Sequence, residues 1–142
     1  MVACGSKTPS GHIDQMLQRV DALENRVEAL YTQDFSYLVR KYQAIDTTVA
    51  RTRDLGDTLI LMQAYLQQFE TQRVVILKNA KVSRKQLTDL QDDIIDNRFD
   101  EKTMLKYIQD EEKVLHTMEA QVKYFQEKFD AQKEVVKQLG KE

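Results

Sequence analysis

Residues 104–139 read MLKYIQDEEKVLHTMEAQVKYFQEKFDAQKEVVKQL, and their apolar side chains recur mainly at alternating spacings of three and four. This is the a/d pattern of a coiled-coil helix, whose narrow apolar seam must be covered by other helices. Glu111 and Gln132 are the polar interruptions of the pattern. The stretch therefore predicts a long helix that needs partner helices. Its apolar seam positions are Met104, Ile108, Leu115, Met118, Val122, Phe125, Phe129, Val136 and Leu139.

The chain contains two further stretches with the same periodicity. The seam of the first occupies residues 13–30 and then slips by one position, continuing through residues 31–49. Such a slip is typical of a stutter, at which a helix continues while its buried face rotates. The seam of the second occupies residues 59–94 and includes Arg73 and Ser83. The predicted helices are 13–53, 57–96 and 100–139.

Two short polar segments separate these helices. Gly56 suits the position after a helix end and Asp57 the next N-cap, while Asn97 tolerates the left-handed conformation and Asp100 suits an N-cap. Short turns place neighbouring helices antiparallel. The predicted fold class is therefore all-α: an elongated, antiparallel up-down-up three-helix bundle over residues 12–140, with coiled-coil packing and a shape similar to a spectrin repeat.

In two antiparallel helices with the same rise per residue, residues lie opposite each other when their numbers add up to a constant. That sum is about 110 for the helices joined by the first turn and about 197 for those joined by the second. This arithmetic predicts an ion pair between Asp34 and Arg73, and a second polar layer formed by Ser83 and Glu111. Such buried polar pairs fix register more than they add stability. An aromatic layer is predicted from Phe69, Phe125, Phe129, Leu38 and Tyr42.

Composition excludes several classes of protein. The 142 residues fit one domain, and 31% charged with 42% hydrophobic residues suits amphipathic helices better than a disordered tail. The formal net charge of −2 provides no global attraction to nucleic acid, which is not an expected partner. Cys4 is the only cysteine, which excludes an internal disulfide and a cysteine-based zinc site.

The first six residues, MVACGS, suggest a location. A small residue, Ala3, directly precedes Cys4, the apolar Val2 precedes that, and Gly5 and Ser6 follow. This arrangement resembles the end of a bacterial lipoprotein signal peptide. In that family the cysteine becomes the first mature residue and is lipidated. The resemblance implies a lipid on Cys4 and a place in the bacterial cell envelope, facing the periplasm or the outer surface.

The resemblance covers only residues 1–6, and Met1 stands where the family usually has leucine. The hydrophobic and basic parts of such a signal do not precede these residues. We therefore expect that the sequence as given starts just upstream of the cysteine, with a start methionine supplied. Residues 1–11 are predicted to be a flexible anchor and tether, and Thr8 or Ser10 to cap the first helix. The alternative is a cytoplasmic protein with an incidental cysteine.

Candidate catalytic and metal sites are weak. Glu112 and His116 lie one helical turn apart and could supply two metal ligands, but a di-iron bundle needs Glu-x-x-His motifs and further inward carboxylates. No metal and no cofactor are therefore expected. No Ser/His/Asp arrangement or glycine-rich phosphate loop is present in the sequence, so we expect no enzyme.

Two surface features are candidates for partner binding. Lys78, Lys81, Arg84 and Lys85 form a basic patch that could hold an acidic partner or lipid headgroups, although a solvated helix face is the favoured interpretation. Four tyrosines could mark an interface or pack at the rim of the bundle, and packing is favoured. They are Tyr31, Tyr37, Tyr42 and Tyr107.

The leading hypothesis is a non-enzymatic, lipid-anchored helical rod of the bacterial envelope that acts as a spacer or protein-interaction module. Its partner is expected to be another protein, and its contact with the membrane to be the lipid on Cys4. A cytosolic coiled-coil adaptor or assembly subunit is the first alternative, and a small-ligand or metal-binding bundle is the second. A monomer is favoured, but the same seams also suit a dimer with exchanged helices.

Overall fold

The computed structural model describes residues 8–45 and 56–140, and the regular elements within these ranges are all helical, with no β-strand among them. The helices bury their apolar seams against each other, which confirms the predicted all-α bundle. The elements are α1 (Pro9–Ala29), a π-helical segment (Leu30–Phe35), α2 (Ser36–Ala44), α3 (Gly56–Ile95) and α4 (Glu101–Gly140). The first predicted helix thus comprises α1, the π-helical segment and α2 in unbroken succession.

Thr8, one of the two predicted caps, caps α1, but the helix begins at Pro9 and not at residue 13, so residues 9–11 belong to α1 and not to the predicted tether. The backbone N–H of Gly11 donates to Thr8 Oγ1 at 3.0 Å, and Pro9 occupies the first helical position. Proline is favoured there because its missing N–H would have no partner within the helix.

The turn between α3 and α4 also follows the sequence. Asn97 has φ of 54°, the left-handed conformation expected of the residue after a helix end. The N–H of Arg98 donates to the Asp93 carbonyl at 3.0 Å and that of Asn97 to the Ile94 carbonyl at 3.1 Å, which together form a Schellman motif. Asp100 then caps α4 by accepting the Thr103 N–H at 2.8 Å. Hydrogen bonds from Thr103 hold the pKa of Asp100 below its usual value.

The π-helical segment explains the slip in the first seam. A π turn closes hydrogen bonds over five residues instead of four, so it takes in one extra residue without breaking the helix. Leu30, at its start, is buried, and the next fully buried seam residue is Leu38. The hydroxyl of Ser36 donates to the Tyr31 carbonyl at 3.0 Å, five residues back. The prediction that the helix continues while its buried face rotates is confirmed.

The end of the first helix differs from the prediction. Ile45 has φ of −71° and ψ of 123°, an extended conformation, so α2 ends at Ala44 and does not continue unbroken to residue 53. The seam residue Val49 lies outside the described residues. Gly56 and Asp57 lie inside the first turn of α3 and are not its flanking residues. Asp57 still places a carboxylate at the positive end of that helix.

This early end shifts the pairing between the first helix and α3. Arg84 of α3 binds Asp21, and the amide of Gln91 binds Asp14. These pairs differ from the predicted register by about five residues, which is more than one helical turn. The predicted register assumed an unbroken helix to residue 53, whereas α2 ends at Ala44.

Two compact units make up the chain. The described part of the first unit consists of residues 8–25 and 76–121, and that of the second of residues 26–45, 56–75 and 122–140. Each contains a segment from all three predicted helices. The core of the first unit includes Ile13, Met16, Val20, Leu23, Ile76, Ala80, Leu87, Leu90, Met104, Ile108, Leu115 and Met118.

Two arginines cross-link the first unit. Arg19 of α1 donates to both oxygens of Glu112 at 2.7 and 2.8 Å, and to both oxygens of Glu119 at 2.6 and 3.1 Å. The hydrogen bonds to Glu119 raise the pKa of Arg19 most, and partial burial opposes them. Arg84 of α3 binds Asp21 at 2.7 Å and also Glu24. Each guanidinium therefore ties α1 to one of the other helices.

Phenylalanine rings form the centre of the second unit. The ring centroid of Phe69 lies 5.2 Å from that of Phe125 and 4.9 Å from that of Phe129, in edge-to-face geometry. Phe35 adds a fourth ring at 5.7 Å from Phe69. The aromatic layer is confirmed for the three predicted phenylalanines. Tyr42 lies at the edge of the unit, where its hydroxyl donates to Gln63 at 3.1 Å.

The predicted Asp34–Arg73 pair is wrong. Arg73 donates to Glu28 at 3.2 Å, and its guanidinium lies 3.8 Å from the centroid of the Tyr31 ring. Asp34 binds Lys133 of α4. The register shift brings Glu28 to Arg73, and the π-helical segment turns Asp34 away from α3.

Gln132, the polar interruption of the α4 seam, is buried in the second unit with 5% of its surface exposed. Neither its amide nitrogen nor its amide oxygen has a hydrogen-bond partner within the described chain. An unpaired buried amide costs stability, so Gln132 is a weak point of this core.

Replacing Phe69 with alanine should lower the free energy of unfolding by about 3–5 kcal/mol, because it removes a fully buried ring from the centre of the second unit. Urea denaturation followed by circular dichroism measures the change. Val74→Ala, at a position on α3 that is 61% exposed, is the control and should change stability little. An equal loss in both variants would contradict this account of the core.

Replacing Arg19 with glutamine should cost about 1–2 kcal/mol, because charge-assisted hydrogen bonds to two partly exposed carboxylates are lost and solvent screens part of that energy. The destabilisation should shrink at high salt. Arg26→Gln, on an exposed part of α1, is the control. Identical denaturation midpoints for wild type and Arg19→Gln would show that this cross-link does not stabilise the unit.

Candidate functional site

A groove runs between α3 and α4 beside the turn that joins them, and it lies wholly within the first unit. The groove is open to solvent and has a volume of about 310 Å³. Both helices present residues spaced by three and four, which places each set on one helix face. The lining of this α3–α4 groove is Gln86, Asp89, Leu90 and Asp93 from α3, Phe99 from the turn, and Tyr107, Asp110 and Glu111 from α4.

Two aromatic rings form one wall of the α3–α4 groove. Phe99 and Tyr107 pack edge to face, with their centroids 5.2 Å apart and their planes at 79°. Phe99 is 37% exposed and Tyr107 is 39% exposed, so ring surface remains open to solvent. An exposed aromatic pair of this kind can accept the flat face of a ligand group.

Glu111 lies at the end of the groove remote from the turn. In the amide orientation that satisfies both groups, the Gln86 nitrogen donates to the two Glu111 oxygens at 2.7 and 3.2 Å. Partial burial raises the pKa of Glu111, and the neighbouring negative charge of Asp110 raises it further. The donor that faces this carboxylate is therefore the neutral amide of Gln86. A cation in the same place would stabilise the ionised form of Glu111 more strongly.

The other groove carboxylates have basic neighbours on the rim. The pairs are Lys85–Asp89 at 2.9 Å, Lys106–Asp110 at 3.3 Å and Arg98–Asp93 at 3.7 Å. The basic members are between 65% and 78% exposed, and ion pairs in such solvated positions contribute about 0–1 kcal/mol each. An incoming cation can therefore replace these partners at little cost.

The charge of this region is strongly negative. Residues 86–111 include eight acidic and three basic side chains, a local formal charge of −5. The whole chain carries −2. With an aromatic wall and four lining carboxylates, the groove is chemically suited to hold an organic cation.

The four residues of the predicted basic patch do not act together. Arg84 is bound by Asp21 and Glu24, and Lys85 by Asp89. Lys78 and Lys81 are exposed on α3. With Arg84 already paired across the bundle, the patch retains two solvent-facing lysines and one lysine in an exposed ion pair.

The predicted Ser83–Glu111 layer takes a different form. Ser83 is buried in the core of the first unit, with 2% of its surface exposed. Glu111 is partly buried and is bound by Gln86, one turn further along α3. The predicted lipidation site, Cys4, lies outside the described residues.

Of the two residues considered as metal ligands, Glu112 and His116, the first already has another partner. Glu112 is held by Arg19, and His12 Nε2 lies 3.8 Å from it. His116 is exposed. Within residues 8–45 and 56–140 there is no group of three or more histidine, cysteine, aspartate or glutamate side chains placed to hold a metal ion.

Among the described helices, none combines the length and the apolar character needed to cross a membrane. Comparison with protein-family models, curated proteins and solved structures found no match for this chain.

Sequence reasoning missed the groove, although one signal pointed to it. The arithmetic for the second turn places Gln86 opposite Glu111 and Leu90 opposite Tyr107. These pairs line the groove as observed. In the sequence Tyr107 stands out only as one of four tyrosines that could mark an interface.

Replacing Glu111 with glutamine should stabilise the protein near neutral pH. A raised pKa means that ionisation of Glu111 disfavours the folded state, so stability falls as pH rises through that pKa. The Gln86 hydrogen bonds favour the ionised form and offset part of this effect. The variant removes this penalty, and its advantage should vanish below the ordinary glutamate pKa of about 4.3. Urea denaturation at both pH values measures this, with the exposed Glu134→Gln as control. A variant less stable than wild type at neutral pH would show that ionised Glu111 is favourable.

Proposed function

We propose that this chain is a non-enzymatic helical module of the bacterial envelope, held at a membrane by a lipid on Cys4 and acting as a spacer or protein-interaction module. The observation that carries the proposal is the sequence Val2-Ala3-Cys4-Gly5-Ser6, which resembles a lipoprotein processing site. Lipid anchoring of this kind needs no membrane-spanning helix.

The start of the fold is compatible with such an anchor. Gly5, Ser6, Lys7 and Thr8 separate Cys4 from the first helical residue, Pro9, which limits the reach of this segment to about 18 Å. The Thr8 cap gives α1 a defined first residue at the end of the segment. The helical body would therefore begin close to the lipid.

The charges near Pro9 have a consequence for orientation. The hydrogen bond between Asp14 and Gln91 places the start of α1 beside the end of α3, in the first unit. Acidic residues are concentrated at this end, and anionic headgroups repel them. With a lipid on Cys4, this end would face the membrane, and the repulsion would hold it away from the surface as far as the segment before Pro9 allows. The acidic residues concerned are Asp14, Asp92, Asp93, Asp96, Asp100 and Glu101.

The contacts of the described charged side chains favour a role in binding over one in catalysis. The two most connected arginines, Arg19 and Arg84, bind carboxylates of neighbouring helices and so contribute to the scaffold. The cores are filled by the side chains of the chain itself. The α3–α4 groove, by contrast, combines open ring surface with incompletely compensated charge, which is typical of a recognition surface.

Expression of the gene with its native upstream sequence in a Gram-negative host tests the proposal. Mass spectrometry of the mature N-terminus should find Cys4 as the first residue, carrying acyl chains, and the protein should sediment with membranes. Cys4→Ser should abolish both the acylation and the sedimentation, because the thiol that receives the lipid is gone. An unprocessed N-terminus with a free Cys4 would refute envelope anchoring and favour the cytosolic adaptor.

A further inference from the structure

We propose that the α3–α4 groove binds a basic segment of a partner protein and seats an arginine side chain between the Phe99–Tyr107 wall and the groove carboxylates. The inference rests on the proposed role as a protein-interaction module and names the class of partner. Its support is the aromatic pair, the four lining carboxylates and the dimensions of the groove.

Size favours a segment of chain over a small ion. The α3 lining extends from Gln86 to Asp93, which is about 10 Å along the helix. That length accommodates one long side chain and the backbone on either side of it. The carboxylates stand along both helices, as the repeated charges of a basic peptide require. A single metal ion would need its ligands to converge on one point, and they do not.

The chemistry of the wall favours arginine over lysine. A guanidinium is planar, stacks on an aromatic ring and donates to a carboxylate through two parallel N–H groups. Exposed ring surface on Phe99 and Tyr107 provides the stacking face. Glu111, whose present donor is the neutral amide of Gln86, provides an acceptor for the fork.

The second unit shows the same arrangement within the chain itself. Arg73 lies 3.8 Å from the Tyr31 ring centroid and donates to Glu28 at 3.2 Å. Ring and carboxylate there hold one guanidinium together. The groove offers the same two groups, Tyr107 and Glu111, one helical turn apart on α4, with the site of the guanidinium open to solvent.

The test uses the purified chain and fluorescein-labelled peptides of alternating arginine and glycine. Fluorescence anisotropy at low salt should show saturable binding, which weakens as ionic strength rises to about 0.15 M. The same peptide with lysine should bind more weakly, because an ammonium cannot form the planar fork. The same peptide with glutamate should not bind.

Two groove variants locate the site. Tyr107→Ala should weaken the arginine peptide about threefold, as expected for loss of an exposed cation–π contact. Glu111→Gln should weaken it about tenfold, as expected for loss of a charge-assisted hydrogen bond. Leu105→Ala and Glu134→Gln, exposed on the same helix outside the groove, are matched controls and should bind like wild type. Circular dichroism checks folding, and Tyr107→Leu replaces any alanine variant that unfolds.

Equal affinity of the arginine and lysine peptides, unchanged in Tyr107→Ala and Glu111→Gln, would overturn the proposal and indicate diffuse charge attraction. Tighter binding of a leucine–glycine peptide would also overturn it by assigning the groove to an apolar partner. The anchor is tested separately. Acylated Cys4 without peptide binding would refute the groove alone, and peptide binding without acylation would refute the anchor alone.

Discussion

The seam of α4 is the constraint on which the rest of the structure depends. Its side chains alternate between buried and solvated positions over the whole helix, from Met104 through Leu115 and Phe129 to Val136. Full burial of one such side chain contributes about 1.5–3 kcal/mol. Burial of such a seam requires facing helices, and in each unit segments of both other helical regions accompany α4. Each unit thus contains three helical segments, and their buried side chains fill its core.

Helix type and core membership were predictable because both follow from local periodicity. Every apolar seam position predicted for α4 is buried as far as Val136, the last with described burial. The slip after Leu30 was visible in the sequence, and the π-helical segment is its structural form. The turn at Asn97 was predictable too, since few residues adopt a positive φ. In each case the determining residues lie within a few positions of one another.

The register of the first helix against α3 was not predictable in the same way, because it depends on where that helix ends. The periodicity continued past Ile45, whereas the backbone becomes extended there. An error of about one turn leaves the apolar contacts plausible, because a heptad pattern repeats, but it changes the polar partners. Arg73 thus binds Glu28 and Asp34 binds Lys133. Across the short second turn the register was right, and Gln86 lies opposite Glu111 as the arithmetic requires.

The anchor and the groove become linked if Cys4 carries a lipid. The segment from Cys4 to Pro9 reaches at most about 18 Å, and the Asp14–Gln91 contact places the start of α1 beside the turn where the groove begins. The groove would then lie near headgroups that are often anionic and attract the same basic segments. Charge alone would give the groove no advantage over the lipid surface. The Phe99–Tyr107 wall supplies one, because a lipid phosphate binds a guanidinium but presents no ring for it to stack on. The aromatic pair, more than the acidic residues, would therefore decide which basic segments remain bound to this protein.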